Sequence, residues 1–332
     1  MKSEIILRVE ILHTRFELGK QKTVTAVDGV SLHLDNGEIL GIVGESGSGK
    51  SVTVRSILRL LPSNAVMKAD NIELDGEPVN HMSTKDFRRT CGGKFSMIFQ
   101  EPLTALNPSF TLGWQIREVY KLRQGNMPSS AIQQKALEML RRVKIPDPEK
   151  RQREYPHQLS GGMRQRGLIA IALASEPKIL IADEPTTALD VTVQADIMDL
   201  IEELRREFNL SVILISHNLN LVVQRCDRVM VMYAGQVMEE ANSERILQNP
   251  MHPYTIGLMT SIPDINTPDI SLVSIPGEIA DLGNQHQGCP FHSRCSKAMK
   301  ICPISRPSWI EIEPSHWCAC HLHINKAGDC FV

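Results

Sequence analysis

Apolar and polar positions alternate where Val30, Leu32 and Leu34 interleave with Ser31, His33 and Asp35, and Asp35-Asn36-Gly37 follows with turn chemistry. This pattern predicts a half-buried strand entering a tight reversal, within a first forty residues that read as short strands. The run Ile39-Leu40-Gly41-Ile42-Val43 lacks alternation, as expected of a strand covered on both faces in a parallel sheet. A glycine-rich octet comes next, and then Val54, Ile57, Leu58 and Leu61 at helical spacing, with Pro62 placed to stop the helix.

Between about 100 and 160 the character changes. Ile132, Ala136, Leu137, Leu140 and Val143 share one helical face between flanks rich in proline and asparagine, which predicts a helical insertion. From Met163 a helix to Ala174 leads into a buried strand over 179–182. A helix follows with Val193, Ile197, Leu200, Ile201, Leu204 and Phe208 on one side, then strands over 212–215 and 229–232. The alternation of strand and helix predicts an α/β fold around a parallel core sheet. Asn249-Pro250, Pro253, Pro263, Pro268 and Pro276 interrupt the periodicity and place a boundary near 245–250.

Composition narrows the function classes. With 42% hydrophobic residues in 332, the chain has enough apolar material for a core, so disorder is excluded as its general state. Its 36 Lys and Arg against 38 Asp and Glu leave a net charge of -2, and nothing in that balance draws it to nucleic acid. The longest apolar stretch, 168–174, is far short of the roughly 18 to 20 residues of a membrane span, and residues 1–10 show no signal-peptide pattern, so a soluble chain in the cytoplasm is expected. Cys91 and Cys226 are isolated, whereas Cys289, Cys295, Cys302, Cys318, Cys320 and Cys330 crowd the tail, pointing to a separate module that binds metal or a cluster. His286, His292, His316, His321 and His323 form no recognisable ligand set and read as solvated surface. The methionines read as packing residues.

The octet Gly44-Glu45-Ser46-Gly47-Ser48-Gly49-Lys50-Ser51 satisfies G-x-x-x-x-G-K-[ST] between a strand and a helix. Its backbone N–H groups are expected to converge on phosphate oxygens, with Lys50 reaching the β- and γ-phosphates and the Ser51 hydroxyl ligating Mg²⁺. The strand over 179–182 delivers Asp183 and Glu184 at its carboxyl edge, where open α/β sheets bind ligands. Asp183 suits an outer contact to Mg²⁺, and Glu184 could polarise an attacking water.

Leu159-Ser160-Gly161-Gly162-Met163-Arg164-Gln165-Arg166 matches the signature sequence of ABC-type ATPases, upstream of the Asp183-Glu184 strand as that family requires. The resemblance covers residues 5 to about 245. It implies a P-loop ABC-type nucleotide-binding domain over 1–248, with an N-terminal antiparallel β part and a helical insertion over about 101–162. Gln100 resembles the Q-loop glutamine, also a Mg²⁺ contact, and Ala188-Leu189-Asp190 the D-loop; His217 resembles the switch histidine, and Phe16 the aromatic that stacks on adenine. Two departures are mild: Asn218 follows the histidine in place of Asp, and position 16 is Phe where Tyr is usual. The resemblance implies ATP and Mg²⁺ as ligands, with Lys50, Gln100, Glu184 and His217 catalytic. Ser160, Gly161 and Gly162 would close over ATP held by the phosphate loop of a homologous ATPase partner.

Residues 101–108, Tyr155-Pro156-His157-Gln158, 249–255 and Ser261-Ile262-Pro263 resemble the ATP-binding subunits of oligopeptide, dipeptide and nickel importers. This implies an ATPase at the cytoplasmic face of the membrane, peripheral to two transmembrane permease subunits and served indirectly by an extracytoplasmic substrate-binding protein. The cargo is a peptide, a nickel complex or a related solute. The rival class, a non-transport ABC ATPase of translation or DNA repair, would bring paired phosphate loops or a long coiled coil. Over 249–332, Cys289, Cys295, Cys302 and Cys320 are separated by five, six and seventeen residues, the four-cysteine pattern for which the family implies a [4Fe-4S] cluster. Four thiolates suit zinc as well, plain reduced cysteines are the third alternative, and Cys318 rivals Cys320 for the fourth place.

Overall fold

The computed structural model describes residues 4–19, 22–123, 125–187, 189–260, 275–278, 280 and 287–324. The chain begins with β1 (Ile5–Glu17), β2 (Thr23–Asp35) and β3 (Ile39–Val43), then α1 (Lys50–Ile57), β4 (Ala65–Lys68), β5 (Asn71–Leu74) and β6 (Glu77–Pro78). It continues with α2 (Thr84–Cys91), β7 (Phe95–Ile98), α3 (Pro102–Ala105), α4 (Leu112–Arg123), α5 (Ser129–Arg142) and α6 (Pro148–Arg151). Next come α7 (Gly161–Leu173), β8 (Ile179–Asp183), α8 (Val191–Phe208), β9 (Ser211–Ser216), α9 (Leu219–Arg225), β10 (Arg228–Tyr233) and β11 (Gln236–Asn242). After α10 (Ser243–Gln248) and α11 (Pro253–Thr260), the hairpin of β12 (Ile310–Glu313) and β13 (His316–Cys318) completes the strands.

Two compact units are distinguished. The first comprises Asp35–Glu38 and Met82–Ile213, in which β7 and β8 pair in parallel and α7 packs on β7, α3, α4, α5 and α8. Helix α7 can meet so many neighbours because Gly167, Leu168, Ile169, Ala170, Ala172 and Leu173 are buried around most of its circumference. In α5, Ile132, Ala136 and Leu140 are buried as the spacing predicts.

The second unit comprises Glu4–Leu34, Ile39–His81 and the chain from Leu214 onward. One of its sheets runs β2-β1-β5-β6, with β4 also antiparallel to β1. Val30, Leu32 and Leu34 are buried there. The initial strands are long, 13 residues each, a correction to the short strands expected. Cross-strand pairing to β5 over Leu7–Glu10 and to β4 over His13–Phe16 keeps β1 extended along its length.

The other sheet of this unit runs β12-β13-β11-β10-β3, with β3 and β10 parallel and the remaining pairs antiparallel. The fully buried Leu40, Ile42 and Val43 of β3 each contribute about 2 kcal/mol through apolar burial. Strand β9 passes from one unit into the other along the chain, and all six of its residues are buried.

Helix α1 ends earlier than Pro62 suggests. Arg59 takes a left-handed backbone, φ 54, and its guanidinium donates to the carbonyls of Val79 (2.6 Å) and Asn80 (3.1 Å). Those long-range bonds stop the helix, and Leu60 is left exposed.

Candidate functional site

In the second unit the octet 44–51 connects the buried strand β3 to α1, so a rigid edge positions a loop of backbone amides. Gly49 caps the helix with φ 99, and a Cβ there would lie 2.5 Å from the Ala26 carbonyl oxygen; a Cβ at Gly44 would lie 2.1 Å from that of Met232. The loop therefore reaches this conformation only with glycine at both positions. Ser46 and Gly47 are exposed and Ser48 is buried. Lys50 is 5% exposed and donates through Nζ to the carbonyls of Gly44 (2.8 Å) and Glu45 (2.9 Å) and to Ser48 Oγ (3.4 Å). A cationic amine inside one short loop lies beside the positive end of α1, which starts at Lys50 and carries Ser51 in its first turn, a setting suited to an anion.

Two further predicted residues lie in this unit. His217 is exposed immediately after β9, and Asn218 caps α9, its Oδ1 accepting from the Leu221 amide at 3.2 Å. An Asn oxygen serves that cap as an Asp oxygen would, which accounts for the mild departure at this position. Phe16 is half-buried in β1 opposite Ala65.

The first unit holds the carboxylates and the signature. Asp183, fully buried, ends β8, and Glu184 follows it in a left-handed conformation, φ 48. A non-glycine residue at such an angle carries strain of order 1–3 kcal/mol, which neighbours must hold in place. Here the Glu184 carboxylate accepts from Gln100 Nε2 at 3.1 Å and from Thr187 Oγ1 at 2.8 Å. Ser160 caps α7, its Oγ accepting from the Met163 amide at 3.3 Å, and Gly161 opens the helix at the surface. Asp190 caps α8 through the Val193 amide at 3.0 Å; Ala188 of the same motif lies outside the described residues.

In the tail, Cys289, Cys302 and Cys320 are buried and Cys295 is half-buried. Burial pushes the Cys289 thiol up to about 12 and the Cys320 thiol to about 11, with smaller contributions from the other thiols. The Met299 amide donates to Cys302 Sγ at 3.3 Å. Among the described residues, no group of three or more His, Cys, Asp or Glu side chains is placed to hold a metal ion. Cys318 is fully buried in β13, paired in register with Glu239 of β11. Cys330, His286 and Ser261-Ile262-Pro263 lie outside the described residues.

One tail histidine departs from expectation. His316 is completely buried, its Nε2 2.7 Å from the fully buried Glu239 carboxylate, which also accepts from the amides of Met251 (2.7 Å) and His252 (2.9 Å). The partner lies 77 positions away, so sequence spacing carries no trace of the pair. Glu45, Tyr254 and Arg294 were also not legible as a group: Arg294 forms a two-pronged pair with the Glu45 carboxylate at 2.6 and 3.0 Å, and the Glu45 amide donates to Tyr254 Oη at 2.9 Å. The available signal was a charged residue at a freely variable position of the phosphate loop.

Comparison with known proteins agrees with this geometry. Residues 27–187 match the ABC transporter family, and residues 238–302 match the oligopeptide/dipeptide transporter C-terminal region. The chain is 44% identical to the oligopeptide transport ATP-binding protein AppD of Bacillus subtilis (98% of each chain covered) and 46% identical to the dipeptide transport ATP-binding protein DppD of the same organism (98% and 96%). It is 43% identical to the oligopeptide transport ATP-binding protein OppD of Escherichia coli (98% and 95%). Among solved structures, the ATP-binding cassette MJ0796, a dimer in a post-hydrolysis state bound to ADP and Pi, superposes with a TM-score of 0.63 at 27% identity, over 71% of this chain and 98% of that one. No helix among the described residues is long and apolar enough to cross a membrane. Phosphate loop, signature and matched C-terminal region together make the chain a member of the oligopeptide/dipeptide family of ABC transporter ATP-binding proteins.

Proposed function

We propose that the chain hydrolyses ATP to power import of oligopeptides or dipeptides through a multi-subunit ABC transporter, working peripherally at the cytoplasmic face of the membrane. The phosphate loop carries this reading: Lys50 folds over a glycine-rich loop at the start of α1, a setting suited to a polyphosphate, and the family match supplies the peptide branch. In this assignment Gly44, Ser46, Gly47, Ser48, Gly49 and Lys50 bind the phosphates, and Phe16 stacks on the adenine. Ser51, Gln100 and Asp183 would hold Mg²⁺, whose charge offsets that of the phosphates. Glu184 orients and polarises the attacking water, Gln100 positions Glu184, and His217 contacts the γ-phosphoryl group.

Residues 1–248 form the ATPase part and 249–332 the extension. Ser160, Gly161, Gly162 and Asp190 act across an interface with a homologous ATPase. Their caps fix where α7 and α8 start at the surface, which supports that reading. Two permease subunits receive the work, and a substrate-binding protein on the far side supplies the cargo. Purification of the complex from detergent extract, followed by peptide uptake into vesicles, tests the whole reading. ATP-driven peptide accumulation abolished by Lys50→Ala is expected; attached membrane chains that move only a nickel complex would transfer the chain to the metal branch.

In the extension, Cys289, Cys295, Cys302 and Cys320 would hold a [4Fe-4S] cluster. An all-thiol donor set and an amide donor to Cys302 Sγ support it. Burial raises the Cys289, Cys295 and Cys320 thiols, so loading must release protons. Absorbance near 400 nm after anaerobic purification, lost on Cys295→Ser, is expected; colourless protein carrying one zinc per chain would refute it.

A further inference from the structure

Glu45 occupies a variable position of the phosphate loop, yet it is tied through its backbone and its side chain alike. Its carbonyl accepts from Lys50 Nζ at 2.9 Å, its amide donates to Tyr254 Oη, and its carboxylate takes both Nη groups of Arg294. The anchoring side is firm. Arg294 is 8% exposed, and its remaining donors reach the carbonyls of Pro276 and Ile275, each at 3.0 Å, and Tyr233 Oη at 3.4 Å. Tyr254 is fully buried, its ring edge-on to Tyr233 at 4.8 Å and tilted against Phe291 at 5.2 Å.

We infer that Arg294 and Tyr254 are positioning residues for ATP: held by the extension, they fix Glu45 and through it the phosphate loop and Lys50. This rests on the reading of the loop as the ATP site. The physical reason is preorganisation. A glycine-rich loop has much backbone freedom to lose when it closes on phosphate, and a loop already pinned at its second residue loses less on binding. The arginine fork suits the task because two parallel charge-assisted bonds fix the orientation of a carboxylate as well as its distance. The pair also keeps the Glu45 charge engaged beside a site that must accept a polyanion.

The test is titration of the full chain with Mg-ATP, together with steady-state kinetics. Arg294→Met and Glu45→Gln should each weaken ATP binding about tenfold, in the range found when a supporting contact of a built site is removed. The double variant should be no weaker than either single one, because both changes break one contact. KM for ATP should rise with little change in kcat, and Arg294→Lys, which keeps charge but loses the fork, should fall between. A purely structural role would lower the melting temperature but leave binding by the folded protein unchanged; that result overturns the inference. If Arg294→Met fails to fold, Glu45→Gln and Arg294→Lys decide alone. Lys50→Ala separates the two levels of the reading: loss of binding there with none in the Glu45 and Arg294 variants sinks only the clamp, and no ATP binding by the unaltered chain sinks the nucleotide site itself.

Discussion

Gln100 donates its side-chain amide to the same Glu184 oxygen that accepts from Thr187, so this carboxylate is held from two directions on a backbone already bent into the left-handed region. A carboxylate so oriented is suited to align a water and take its proton. Glu184→Gln keeps the shape and removes the basic oxygen. ATP binding should persist while turnover falls by roughly 10²- to 10⁴-fold, measured by nucleotide titration beside phosphate release. Near-normal hydrolysis would strip Glu184 of its role.

The caps at Ser160 and Asp190 leave the starts of α7 and α8 at the surface. If those ends complete the site of a partner, catalysis requires pairing. Specific ATPase activity should climb with protein concentration and climb further when a homologous ATPase is added. Activity that is high and indifferent to dilution would contradict this.

Acid should loosen the extension. Burial, assisted by His323, lowers the ordinary His252 value of 6.5 to about 4, against the opposing pull of Glu239. The Glu239 carboxyl lies below its usual range because hydrogen bonds led by His316 outweigh the opposing effect of burial. Cys318 also faces Glu239. Both shifts have the same sign. The folded state takes up fewer protons than the unfolded one, so stability is full above about pH 6.5, declines as His252 is forced to charge toward pH 4, and declines further as Glu239 protonates. The slope for one proton is about 1.4 kcal/mol per pH unit. Urea unfolding between pH 7 and 5 should show it, and His252→Asn, which can keep an acceptor near the Tyr254 amide, should flatten it. An unchanged slope would assign the acid sensitivity elsewhere.

Gly41 sits mid-strand in β3, where an added Cβ would meet Val222 Cγ1 at 2.2 Å and Cys226 Sγ at 2.9 Å. Gly41→Ala forces α9 away from the strand and should cost about 1–3 kcal/mol, read as a lower melting temperature. Unaltered stability would mean that α9 gives way freely.

Whatever depends on near neighbours along the chain is legible in the residues alone. The unbroken apolar run of β3, the glycine octet after it, the buried face of α5 and the run ending in Asp183-Glu184 all appear where the pattern predicts. Strand and helix periodicity, turn chemistry and the phosphate loop are local physics, and the signature made the family readable. Tertiary structure alone decided what depends on distant partners. Arg59 ends α1 because the carbonyls of Val79 and Asn80 capture it, before Pro62 can act. His316 is interior because Glu239 waits 77 positions away, and Glu45 becomes an anchor only where Arg294, 249 positions on, folds against it. A buried charge is tolerated when its counter-charge and donors arrive with it, and no local pattern records which distant side chain brings them.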